Sequence, residues 1–334
     1  MIKCAIVGGS GYIGGELIRL LLSHPHIQLV SITANEMAGF PISKAHPHFS
    51  HINLKFNALH DIHQAEVVFL ALPHGKAMDF VKQFPDKIII DTSADFRLHN
   101  ETEFKKYYLM PHSCFEKTNL FCYGLPELFK SHIKTAKNIA APGCFATAAI
   151  LSIFPLISEG LSTDIIINAV TGSSGSGIKI KDKTHHAFRA DSFFAYESFS
   201  HRHTPEIKQA IFEKTGYKIN LIFQPHSGPF IRGIYTTSII KLNRTITKEQ
   251  LFEIYKKYYS SEYFIRFTEG TPNIKWVQHT NFCDLGFEIN GDTAIVMSAI
   301  DNLLKGGAAQ AVQCFNLLHG LEESTGLQLF SSNP

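Results

Sequence analysis

The sequence predicts an α/β fold: a doubly wound, Rossmann-type nucleotide domain, then an α+β domain on a mixed or antiparallel sheet. Three observations predict it. Over roughly the first 140 residues, short β-branched runs alternate with amphipathic segments, the pattern of a parallel sheet covered on both faces. Glycines at 8, 11 and 14 stand directly between the first such run and the first amphipathic segment. After Pro142-Gly143 the texture changes to longer apolar runs with few helices between them, which suits an α+β layer. A chain of 334 residues is long enough for two domains, each with its own core.

Residues 3–7 form the first predicted strand, and residues 16–23 carry leucines at helical spacing. Further strands are predicted at 28–33, 67–72 and 88–91, with a helix over 76–84 where Ala77, Phe80, Val81 and Phe84 share one face. Residues 144–154 read as a helix. Strands follow at 165–171, 219–223, 233–242 and 294–299, and a last helix spans 306–318. Thr204 is a plausible cap for a helix opened by Pro205-Glu206.

Composition narrows the function. Hydrophobic residues make up 45% and charged residues 18%, which excludes a disordered chain. No apolar run approaches the length of a membrane span, and the amino terminus enters a strand pattern without a secretory leader. A soluble, cytoplasmic protein is expected, without membrane partners. The 31 Lys/Arg against 29 Asp/Glu leave a net charge of +2 and no basic stripe, so nucleic acid is not an expected partner. The six cysteines form no C-x-x-C pair and read as reduced thiols. The histidines at 46, 48, 51, 60 and 63 lack a completing ligand set, so no metal is expected.

Four motifs carry chemistry. In Gly8-Gly9-Ser10-Gly11-Tyr12-Ile13-Gly14, glycine backbone lets a pyrophosphate approach a helix amino terminus, where N–H groups and the dipole favour negative charge. Residues 8 and 10–14 are therefore candidate dinucleotide contacts. The second strand ends at Thr33-Ala34-Asn35 with no acid for a ribose 2′-hydroxyl, which favours a 2′-phosphorylated cofactor. Thr33 and Asn35 are its candidate donors, with Lys44 as a possible cation and Glu36 as the competing acid. In Ala141-Pro142-Gly143-Cys144, a thiol at a helix start feels the dipole and ionises more easily, making Cys144 the candidate nucleophile. His201-Arg202-His203-Thr204-Pro205-Glu206 offers proton donors and an anion contact. Asp91-Thr92-Ser93-Ala94-Asp95-Phe96-Arg97 follows a strand at its carboxyl end. There Arg97 serves either as a clamp on phosphate or as an ordinary salt-bridge partner of Asp91 or Asp95.

Taken together, these motifs resemble the N-acetyl-γ-glutamyl-phosphate reductases, within the aspartate-semialdehyde dehydrogenase superfamily. The resemblance extends through Leu72-Pro73-His74-Gly75, Tyr123-Gly124-Leu125-Pro126-Glu127, the loop 172–177, Arg232-Gly233 and residues 302–313. It implies a nucleotide domain at 1–143, completed by a returning segment 302–334, and a catalytic and dimerisation domain at 144–301. It implies Cys144 as nucleophile, His201 with His203 beside it as acid/base, and NADP(H) as cofactor. Pro73, Ser174, Gly175 and Asn302 join the cofactor contacts. Ser93, Arg97, Arg202 and Glu206 become contacts of a small acyl-phosphate substrate, and a homo-oligomer, dimer or tetramer, is expected. Two departures stand out. The family usually has Asn-Pro-Gly-Cys-Tyr-Pro-Thr where this chain has residues 141–147, and Ser-Arg where it has Ala34-Asn35. The Phe145-Ala146-Thr147 variant is similar to the related reductase of lysine biosynthesis, whose aminoadipyl substrate is one methylene longer and sometimes carrier-bound. A dinucleotide-binding sensor without catalysis and a cysteine hydrolase are the readings from other classes.

Overall fold

Residues 2–7 bury all of their apolar side chains except Ile2, and they form the central strand β1 (Ile2–Val7) of a first sheet. Gly8 ends it with φ +92°; a Cβ there would lie 2.4 Å from the Ala71 carbonyl oxygen, so only glycine turns the chain at this point. Helix α1 (Tyr12–Ser23) follows and buries Leu17, Ile18, Leu20 and Leu21. Next come β2 (Ile27–Thr33), β3 (Val67–Leu70), α2 (Ala77–Gln83), β4 (Ile88–Asp91) and α3 (Glu101–Tyr108). The series closes with β5 (Phe121–Tyr123), α4 (Pro126–Ile133) and β6 (Asn138–Ala140). All six strands are parallel, in the order β2-β1-β3-β4-β6-β5. The order reverses between β1 and β3, and the carboxyl ends of strands at such a point are where doubly wound sheets take ligands.

The structure, a computed structural model, describes residues 1–180 and 182–331. The chain forms two compact units: Met1–Pro142 with Gly307–Gln328, and Gly143–Gly306 with Leu329 and the described residues after it. Of the expected returning segment, residues 332–334 lie outside the described residues.

The second unit begins with α5 (Cys144–Ser158), whose apolar sequence is buried on nearly every side. The elements after it are β7 (Asp164–Thr171), α6 (His186–Arg189), β8 (Phe194–Ala195), α7 (His203–Thr215) and β9 (Asn220–Ser227). Then follow β10 (Ile234–Lys241), α8 (Lys248–Tyr259), β11 (Ile265–Phe267), α9 (Ile274–Val277), β12 (Cys283–Asn290) and β13 (Thr293–Ile300). Their seven strands make one mixed sheet, β11-β12-β13-β10-β7-β9-β8, parallel only at β7–β9 and β11–β12. Helix α5 lies on β10 and β13, held by a Ser152–Ser238 hydroxyl pair at 2.7 Å and by Ser298 Oγ donating to the Ala148 carbonyl at 3.0 Å. The chain rejoins the first unit through α10 (Ala308–Leu318), which packs against α1 and α4.

Helix α7 starts at His203, two residues before Pro205, and its cap position is Arg202, which makes no side-chain capping hydrogen bond. Thr204 is therefore inside the helix and not its cap. The cause is local: the His203 N–H donates to His201 Nδ1 at 3.2 Å, closing the turn before Thr204 is reached. Among the described residues, no helix is long and apolar enough to cross a membrane.

Candidate active site

In the first unit, the glycine loop is shaped for an anion. The N–H groups of Gly8 and Gly9 both donate to the Thr33 carbonyl, at 3.0 and 2.9 Å, which draws the loop over the end of β2. A Cβ on Gly14 would lie 2.4 Å from the Gly8 carbonyl oxygen, whereas one on Gly11 would meet nothing within 4 Å. Helix α1 starts at that open side, with no side-chain cap and no acidic residue in its first turn. Uncapped N–H groups facing open space beside small residues fit the pyrophosphate of a dinucleotide. Ser10, Ile13 and the exposed Tyr12 border this opening.

His46 is a residue of this loop that sequence reasoning missed. Its buried ring carries Nε2 to the Gly9 carbonyl at 2.7 Å and lies so close to Gly15 that a Cβ there would meet it at 2.7 Å. Burial holds its imidazole below the usual histidine range, so it stays a neutral donor that fixes the loop. The sequence signal was only a histidine cluster without a completing ligand set, and nothing in that pattern sets one ring against the glycine loop.

Three expected contacts in this unit make hydrogen bonds within the protein. Thr33 is 1% exposed and serves the loop through its carbonyl, leaving Asn35 and Glu36 exposed on the turn that follows. Ser93 is buried: its hydroxyl donates to Asp91 at 2.7 Å and accepts the Asp95 N–H at 3.2 Å, so it builds its own turn. Arg97, 5% exposed, donates from Nε to the Ala141 carbonyl at 2.7 Å and from Nη2 to the Thr92 carbonyl at 2.9 Å. It thereby braces the carboxyl ends of β4 and β6. Burial, then the neighbouring Asp95, pushes Asp91 above the usual carboxylate range, with Arg97 pulling the other way. Pro73 sits exposed at the turn after β3.

In the second unit, Cys144 is the first residue of α5, half-buried, with no acidic residue in the helix's first turn. The imidazole of His203 lies against the Cα of Gly143, where a Cβ would be 2.3 Å from Nε2. The Gly143 N–H donates to Glu206 Oε1 at 2.7 Å, and a Cβ on Gly306 would lie 2.6 Å from the Cys144 Cβ. Glu206, 1% exposed, thus holds backbone at this point. His201 and His203 meet edge to face at 4.7 Å between centroids, and Phe145 packs on both. Because His201 Nδ1 accepts the His203 N–H, its neutral ring carries the proton on Nε2. Burial, then the positive charge of the half-buried Arg202, pushes its pKa down to about 3.

Further residues of this neighbourhood carried no sequence signal. Tyr196 lies 5.8 Å from the His201 ring and is pushed above the usual phenol range by burial and then by the charge of Cys144. Glu197 approaches His201 Nε2 at 3.8 Å from a left-handed backbone position, φ 48°. Ser174, Gly175 and Asn302, expected at the cofactor, cluster here. Asn302 Nδ2 donates to Ser174 Oγ at 3.0 Å, and Asn302 Oδ1 accepts the Gly233 N–H at 2.7 Å. Its neighbour Asp301 pairs with Arg232 Nε at 2.5 Å.

Two family models match the chain: the semialdehyde dehydrogenase NAD binding domain over residues 3–136 and the semialdehyde dehydrogenase dimerisation domain over 144–302. The N-acetyl-gamma-glutamyl-phosphate reductase of Methanocaldococcus jannaschii is 41% identical, with 100% of both chains covered. The [LysW]-L-2-aminoadipate 6-phosphate reductase of Deinococcus radiodurans is 38% identical over 99% of this chain and 97% of its own. Among solved structures, an aspartate semialdehyde dehydrogenase with NADP from Candida albicans shares the fold at TM-score 0.73 and 14% identity, covering 96% of this chain and 99% of that one. With Cys144 at the helix start, the histidines beside it and the glycine loop after β1 all in place, the chain belongs to the N-acetyl-gamma-glutamyl-phosphate reductase family of semialdehyde dehydrogenases.

Proposed function

We propose that the protein reduces N-acetyl-γ-glutamyl phosphate to N-acetylglutamate semialdehyde and phosphate, the reductive step on this acyl phosphate in arginine biosynthesis. The observation that carries this reading is Cys144 at the first position of α5, on a glycine turn packed by His203. The Cys144 thiolate attacks the acyl carbon; the C–O bond to phosphate breaks, and a thioester remains. A bound nicotinamide cofactor supplies the hydride that this thioester carbon accepts. The resulting oxyanion re-forms the carbonyl as the C–S bond breaks, which releases the aldehyde and restores the thiolate. The net proton of the reaction is taken up by the departing phosphate. Splitting one displacement into two steps lowers the barrier to each. His201 acts as a neutral Nε2–H donor to the developing oxyanion, since its depressed pKa leaves it uncharged near neutral pH. Arg202 is the cation for the substrate's carboxylate or phosphate. Six free cysteines suit a reducing cytoplasm.

The test mixes the protein with N-acetyl-γ-glutamyl phosphate and NADPH and follows the nicotinamide absorbance. Oxidation that requires the acyl phosphate supports the proposal; no turnover, or turnover only with carrier-linked aminoadipyl phosphate, overturns it. The same assay measures cofactor choice. The end of β2 carries no arginine, and Lys44 Nζ rests 3.6 Å over the Phe40 ring. Without the charge-assisted share of a 2′-phosphate contact, kcat/KM should favour NADPH by only about tenfold, worth about 1.4 kcal/mol. A preference for NADH would mean that Glu36 binds the ribose.

We also propose a homo-oligomer built on the mixed sheet. Its face opposite α5 carries Ile222, Ile166, Ile239 and Ile295 in one row across β9, β7, β10 and β13, and Ile166 is 43% exposed. A row of isoleucines on a sheet face is what a second copy would cover. Ile166→Glu should shift the protein to monomer in analytical ultracentrifugation; an unchanged mass would place the interface elsewhere.

A further inference from the structure

Two residues of one helical turn grip the peptide that carries the nucleophile. His203 and Glu206 are the first and fourth residues of α7, three apart and so on one face. Both are turned to Gly143: the His203 ring covers its Cα, and Glu206 Oε1 accepts its N–H at 2.7 Å. Gly143 is the cap position of α5 and Cys144 its first residue. Helices α5 and α7 pack along one another, so α7 is the rigid element from which this grip acts. From the other side, Gly306 closes on the Cys144 Cβ.

We propose that Glu206 is a positioning residue for Cys144: as hydrogen-bond acceptor it holds the Gly143 peptide and so sets where the thiol stands. Glu206 is 1% exposed, so the carboxylate is committed to the protein interior and not to substrate. Its reach is what matters. Glutamine presents an acceptor oxygen at the same distance without the charge; aspartate keeps the charge but falls short by one methylene. A displacement of about 1 Å at a reacting group can cost about 10²-fold in rate.

The inference rests on the acyl-phosphate reductase reading for its kinetic arm, and its chemical arm does not. In the chemical arm, the rate of iodoacetamide alkylation at Cys144 is followed by mass spectrometry across pH in the wild type, Glu206→Gln, Glu206→Asp and Glu206→Ala. Glu206→Gln should keep most of the wild-type profile, while Glu206→Asp and Glu206→Ala should both lose it. In the kinetic arm, Asp and Ala should lower kcat by about 10²-fold with KM for acyl phosphate within about threefold of wild type, and Gln should recover most of kcat. If Glu206→Ala does not fold, the Gln and Asp variants decide between them. An Asp variant better than Gln in alkylation would overturn the proposal, because charge and not reach would then be the requirement. A KM rise with kcat and alkylation unchanged would also overturn it, by making Glu206 a substrate contact. Absence of any acyl-phosphate turnover in the wild type would sink the functional reading and leave the alkylation result standing.

Discussion

Cys144→Ser abolishes turnover, by about 10³-fold or more, and leaves cofactor affinity nearly unchanged. The serine hydroxyl stays un-ionised near neutral pH, so the attacking group is lost, and with it every later step of covalent catalysis. The exchange is nearly isosteric. The Cβ against Gly306 remains, as do the Gly143 turn and its contacts with His203 and Glu206, so the fold of α5 is kept. The glycine loop belongs to the other unit and is untouched. Steady-state rates with acyl phosphate and fluorescence titration with NADPH separate the two effects. More than a few per cent residual activity would remove Cys144 as the nucleophile.

His201→Ala lowers the chemical rate by about 10²–10³-fold, the usual cost of removing one hydrogen-bond donor to a developing oxyanion. The geometry adds that the donor is neutral. Nδ1 is occupied by the His203 N–H, the proton sits on Nε2, and burial pushes the pKa to about 3. The pH profile of the wild type between pH 5 and 8 should therefore contain no inflection that disappears in His201→Asn. One that does disappear would show that the imidazolium is the working form. Stability follows with a definite sign. Between about pH 3 and 6.5 the unfolded chain binds a proton at this site that the folded chain refuses, so folding stability falls as pH drops through that window and gains nothing above it. Urea denaturation at pH 4.5 and 7 should show a smaller difference in His201→Asn than in the wild type. His203→Ala should cost less in rate than His201→Ala; a reversal would exchange their roles.

Much of this was legible in the chain. Residues 144–154 are read as a helix from their apolar run alone, and the structure extends it to Ser158, past Pro155, because burial on nearly every side outweighs the lost backbone bond. The strand at 283–290 is missed. Gly286 interrupts its pattern, and that glycine is there because a Cβ would lie 2.2 Å from the Gly270 carbonyl. Arg97 shows what spacing cannot reveal. A sequence places it after a strand end, but whether its guanidinium faces a ligand or the Ala141 and Thr92 carbonyls depends on where β6 ends beside β4.

By itself the sequence determined the glycine loop, the thiol at a helix start and the histidine pair, because each is local: glycine at 8, 11 and 14, cysteine after Pro-Gly, and histidines two apart. Only the tertiary structure decided which side chains are spent on the protein itself. Ser93, Arg97 and Glu206 look alike as polar residues near motifs, yet each is buried and engaged with protein groups. The same holds for His46, which no local pattern marks. The physical reason is that a buried polar group must find a partner or bear the full desolvation cost. That partner comes from a chain segment 37 residues away for His46 and 63 for Glu206.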